Sequence, residues 1–158
     1  MSAMDDLETR LTHLARFLPL TENNFEAFLS EVASVTGTGD PRAVKPVLLL
    51  ADDHCQLGGV MSRMLALLED VPIDAYVEEL LKALPEFDRK SPFSSENEIR
   101  KLLWSDHDRR ALASAASGLE PEQATALHRV LERVDSPELA TAVTEVRRAL
   151  PEWNPEGG

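Results

Sequence analysis

Apolar residues recur every three or four positions along nearly the whole chain, and alternation with a period of two is almost absent. A 3.6-residue period turns one stripe of a helix toward a core, whereas a half-buried strand needs period two. The pattern predicts an all-α fold. Leu7, Leu11, Leu14 and Leu18 form a first stripe, and Thr21 is placed to cap a second helix with Phe25, Phe28, Leu29 and Val32 inward, ending near Gly37. Asp40-Pro41 reads as a helix N-cap followed by proline at the first helical position. Residues 41–50 allow two readings. Pro46 interrupts the helical pattern, and Val47-Leu48-Leu49-Leu50 also suits a strand; helix is the preferred one.

From Asp53 to Glu69, the residues Leu57, Val60, Met61, Met64, Leu65 and Leu68 fall on one face, which predicts the strongest helix of the chain. Gly58-Gly59 weakens it by about 1 kcal/mol per glycine relative to alanine and suggests close approach by a neighbour or a late start. After Pro72-Ile73-Asp74, a further helix carries Tyr76, Val77, Leu80, Leu81 and Leu84 inward and Glu78, Glu79 and Lys82 outward, and Pro85 is expected to stop it. Residues 85–95 then read as the longest irregular connection, with Phe87 and Phe93 exposed. Ser94 or Ser95 caps the next helix, with Ile99, Leu102 and Leu103 inward and Trp104 near its end. Asp106 caps another that runs through Leu112, Ala113 and Ala116. Pro121 opens a helix bearing Leu127, Val130, Leu131 and Val134, and Ser136-Pro137 opens the last, bearing Leu139, Val143, Val146 and Leu150. The expectation is about nine helices in stacked antiparallel hairpins resembling a HEAT-type repeat. They form a single domain over 1–150, with a flexible tail at 151–158.

A chain of 158 residues that is 43% hydrophobic and 28% charged can bury a substantial core. No stretch approaches the ~20 apolar residues of a membrane span. The first residues, with Asp5, Asp6 and Glu8, do not resemble a signal peptide. Cys55 is the only cysteine, so no intrachain disulfide can form, and a cytoplasmic location is expected. The formal charge of −12 repels phosphate backbones and anionic lipid, which argues against nucleic-acid and membrane partners. Half of that charge lies in residues 69–98, which hold nine acids and three bases. Such a segment is either a solvated face or a docking surface for a basic protein.

Catalytic chemistry finds little support. Asp52-Asp53-His54-Cys55 crowds potential ligands together, but neighbouring helical residues point about 100° apart, so at most two could meet one ion. Capping explains its acids, and those of Asp106-His107-Asp108, without a metal. His54 does not face Cys55 on a helix, and Gly58-Gly59 lacks the lysine and hydroxyl of a phosphate loop. No enzyme activity, metal or cofactor is expected.

Asp52-Asp53-His54 before a methionine-containing helix, Leu68-Glu69-Asp70, Ala75-Tyr76-Val77 continuing to Leu80-Leu81 and Leu84-Pro85, and Ser91-Pro92 before another helix together resemble the immunity protein 30 family of bacterial polymorphic toxin systems, over about residues 52–112. The resemblance implies a cytoplasmic, non-catalytic antidote that binds and blocks a cognate protein toxin. The acidic middle of the chain suits a basic toxin. Candidate anchors are Tyr76, Phe87, Phe93 and Trp104, each of which would otherwise be core packing. Candidate steering charges are Asp74, Glu78, Glu79, Glu86 and Asp88. The alternative is a helical-repeat adaptor or scaffold without a toxin partner.

Overall fold

The computed structural model describes residues 3–152. Two compact units divide the chain, 1–76 and 77–158. Among the described residues there are nine α-helices and no strand. The expected flexible tail at 151–158 lies outside the described residues, apart from Pro151 and Glu152.

In the first unit, α1 (Ala3–Leu14) runs into a 3-10 turn at Ala15–Phe17. Leu7 and Leu14 are buried, but Leu18 is 43% exposed. The stripe stops short of Leu18 because the residue before a proline is driven into extended backbone, and Leu18 precedes Pro19 with ψ 139°. α2 (Phe25–Thr36) packs on α1 and buries Phe28, Leu29, Val32 and Val35. Its N-cap position is Asn24, three residues past the expected Thr21, whose carbonyl accepts from Phe25 N–H at 3.1 Å.

The ambiguous 41–50 segment is helical. Asp40 accepts from Arg42 N–H and caps a 3-10 turn, Pro41–Ala43, and α3 (Val44–Leu48) follows. Pro46 is the third residue of α3. There its missing N–H would have had no intrahelical partner in any case, and Val44, Val47 and Leu48 are buried.

The helix expected from Asp53 begins only at Val60. Residues 51–59 form an irregular loop, closed by α4 (Val60–Ala66) and a 3-10 turn at Leu67–Asp70. Two local features account for the late start. Asp52 Oδ1 accepts from His54 N–H at 2.9 Å, which turns the chain instead of capping a helix. Gly59, at φ 77°, sits in the left-handed region that interrupts helical backbone. Val60, Met64, Leu65 and Leu68 are buried as expected, Met61 is half-buried, and Leu57 stays half-buried in the loop.

α5 (Ile73–Lys90) does not stop at Pro85. Proline cannot donate to the Leu81 carbonyl, and inside a helix this costs about 3 kcal/mol. The apolar face nevertheless continues past it: Val77, Leu80, Leu81, Leu84 and Phe87 are all buried. Burying Phe87 recovers about 1.5–3 kcal/mol, and Asp88 in the added segment bonds Ser95 and Arg133, which together offset the proline. The expected irregular connection at 85–95 therefore shrinks to Ser91.

In the second unit, α6 (Pro92–Trp104) follows with Ser91, not Ser94 or Ser95, at its N-cap position and Pro92 at the first helical position. Ser105 caps α7 (Asp106–Ala116) by accepting from Asp108 N–H, which makes Asp106 the first helical residue instead of the cap. α8 (Pro121–Arg133) starts where its proline predicts, and Gln123 accepts from Glu120 N–H at 3.3 Å. A 3-10 turn at Pro137–Leu139 leads into α9 (Ala140–Ala149). Leu139, Val143, Val146 and Leu150 are buried. In the first unit α1 packs on α2, and α2 and α3 on α4; in the second α6 packs on α7 and α8, and α9 packs on α6, α7 and α8, most of all on α7.

Candidate partner-binding surface

The acids of residues 69–98 sort into two groups. Glu69, Asp70, Asp74 and Glu86 are exposed and form no ion pair among the described residues. Asp74 lies in the first turn of α5, where the helix dipole favours a carboxylate. The remaining five are engaged. Lys82 Nζ stands 3.3 Å from Glu79 and 3.4 Å from Glu78, and hydrogen bonding to Glu79 first, then Glu78, holds its ammonium above the usual lysine range. Asp88, with its side chain 14% exposed, accepts from Ser95 Oγ at 2.6 Å and from Arg133 at 2.5 Å. Glu96 receives Arg100 at 3.0 Å and Arg133 at 3.5 Å, and buried Glu98 receives Lys101 at 2.7 Å. Asp88 is thus a structural ion-pair partner joining α5, α6 and α8. Of the five expected steering charges, Asp74, Glu78 and Glu86 stand exposed, and Glu79 is half-buried.

The four expected anchors also divide. Tyr76 and Phe87 are core residues, at 7% and 0% exposure, and offer no ring to a partner. Phe93 and Trp104 stand 68% and 60% exposed near the two ends of α6. An eleven-residue separation brings two side chains back within about 20° of each other around a helix. Both rings therefore occupy one face. Asn97 and Arg100 fall between them at spacings of four and three, on the same ridge. Asn97 is exposed and was not among the residues expected to face a partner. The 93, 97, 100, 104 spacing places it beside the two rings only once α6 is seen to start at Pro92.

No arrangement suited to nucleophilic chemistry emerges around the other candidates. Cys55 is half-buried and His54 exposed, both in the 51–59 loop, and His107 is exposed at the start of α7. Among the described residues no group of three or more His, Cys, Asp or Glu could hold a metal ion. A cleft of about 670 Å³ between α5 and α8 is lined by Pro85, Asp88, Arg89, Pro121, Thr125 and Arg129, among others, and contains none of these three residues. No helix among the described residues is long and apolar enough to cross a membrane.

No curated protein matches the chain, and no solved structure does either. The family model for Immunity protein 30 matches residues 15–112. That span reaches back to the 3-10 turn after α1, well before residue 52 where the resemblance starts, and ends at the same point, residue 112 in the middle of α7. Covering more than half of an all-helical chain, the match establishes that this protein belongs to the immunity protein 30 family.

Proposed function

We propose that the chain binds a cognate bacterial toxin domain in the cytoplasm and neutralises it by contact, with no covalent chemistry of its own. Family membership carries this reading. Within each unit, helices pack on both the next helix and the one after it, which suits a HEAT-like stack as support for a binding surface. We read the toxin as basic. The exposed carboxylates Asp74, Glu78 and Glu86, on a chain of net charge −12, raise the encounter rate with a cationic protein by long-range attraction.

The test is co-expression with the toxin domain encoded at the same locus, in a sensitive bacterial host. Survival of the host and co-purification of a stoichiometric complex are expected; death of the host with no complex overturns the reading. Reversal of the charges at Asp74, Glu78 and Glu86 to lysine should slow association about tenfold at low salt. At high salt, where attraction between exposed charges is screened, the difference should vanish.

A further inference from the structure

We propose that the anchor of the neutralising contact is α6. Its ridge Phe93, Asn97, Arg100 and Trp104 enters an apolar hollow on the toxin domain with two ring-sized sockets about 16 Å apart. The inference rests on the toxin-binding reading above and adds where the complex is held and what the toxin must present. Eleven residues at 1.5 Å rise set that spacing, and the exposure of Phe93 and Trp104, 68% and 60%, provides the two plugs. Large rings left in water on one helix face mark a contact surface, and aromatic side chains are the side chains most often found as energetic anchors.

The charges of α6 decide what kind of socket fits. Arg100 is paired with Glu96 and Lys101 with Glu98, so the helix balances its own four charges. The ridge is therefore neutral, and its complement is apolar with a polar acceptor for Asn97, not an ionic patch. The acidic residues of α5 attract the toxin, and the rings of α6 keep it bound.

A second copy of the chain is a poorer occupant. The two exposed rings offer on the order of 250 Å², against about 800 Å² per partner in a stable interface. An antiparallel pairing of two α6 helices about a two-fold axis would also centre on Asn97 against Arg100 and bring both Lys101 side chains to one flank. A concave partner that wraps the ridge contributes area from its own walls.

The test measures binding of the full chain to the toxin domain by titration calorimetry and stopped-flow kinetics at about 50 and 500 mM salt. Phe93→Ala and Trp104→Ala should each weaken binding about 30-fold or more, through faster dissociation at both salt concentrations, with unchanged thermal midpoints. Asn97→Arg removes no packing and places a bulky charge at the centre of the ridge; it should weaken binding at least tenfold. Binding of all three variants within threefold of the parent overturns the α6 assignment and leaves toxin neutralisation standing. Failure of the parent itself to bind the toxin overturns both. Self-association of the parent that Trp104→Ala abolishes would assign the ridge to a second copy instead.

Discussion

Arg133 of α8 meets Asp88 of α5 with Nη2 2.5 Å from Oδ1, and Ser95 of α6 donates to the same oxygen at 2.6 Å. Three helices thus converge on one carboxylate. Hydrogen bonding to Asp88 holds the guanidinium above its usual range, and the nearby charge of Glu96 adds to this. A residue that looks like part of an acidic docking face is instead a joint in the second unit.

Arg133→Met should destabilise the protein by about 1–3 kcal/mol, because it leaves a largely buried carboxylate with one neutral donor. That corresponds to a thermal midpoint lower by about 3–8 °C in a chain of this size. Asp88→Asn added to Arg133→Met should recover part of the loss, since a neutral amide is cheaper to leave unpaired than a charge. An unchanged midpoint in the single variant would show that the pair contributes nothing.

Phe87 and Phe93 are six residues apart and should behave as opposites. Phe87→Ala empties a site with 0% exposure and should cost about 3–5 kcal/mol. Phe93→Ala removes a ring that is 68% exposed and should alter stability by no more than about 0.5 kcal/mol. Urea titrations of the two variants with equal midpoints would contradict this division.

Gly58 and Gly59 should also part company. Neither has an atom within 4 Å of an added Cβ, so space is not the issue. Gly59 holds φ at 77°, and alanine there should cost about 1 kcal/mol or more. Gly58 is not at positive φ, and Gly58→Ala should be neutral, or stabilising by about 0.4–1 kcal/mol through the unfolded chain. Chemical denaturation of the two single variants checks the sign of each.

The Asp40 cap should depend on pH. Hydrogen bonds from the Arg42 side chain, then from its backbone N–H, hold the Asp40 carboxyl below its ordinary value of 3.8. A group whose value is lowered by folding contributes fully above its unfolded value, and the contribution fades as the pH falls through the folded one. Asp40→Ala should therefore cost about 1 kcal/mol at pH 7. The gap between variant and parent should narrow as the pH drops below 3.8; a gap constant from pH 7 to pH 2 would exclude the carboxylate as its source.

Elements set by local chemistry were readable from the chain alone. Asp40-Pro41, Pro121 and Pro137 open helical segments where the Asp40 cap and the three prolines place them, and Leu127, Val130, Leu131 and Val134 are all buried. Errors arose where tertiary burial outweighed a local signal. Pro85 reads as a stop, yet the core drawn over Phe87 carries α5 five residues further, to Lys90. Conversely, the 53–69 stripe is apolar enough for a long helix, and a single left-handed glycine with an Asp52 turn shortens it. Among the candidate anchors, spacing could not separate Tyr76 and Phe87 from Phe93 and Trp104, because which ring meets a neighbouring helix is decided by packing. The ion pairs of Arg133 with Asp88 and of Arg109 with Glu145, the latter at 2.6 Å, join residues 45 and 36 positions apart and leave no local trace.

The outward placement of Phe93, Asn97 and Trp104 has an evolutionary consequence. Substitutions on that face disturb neither the interior nor the ion pairs that join the helices, so they cost little stability. On the proposed role of the ridge as the toxin contact, a lineage confronted with a new toxin can remodel it one residue at a time while the scaffold beneath stays folded. Resistance can thus diversify faster than architecture.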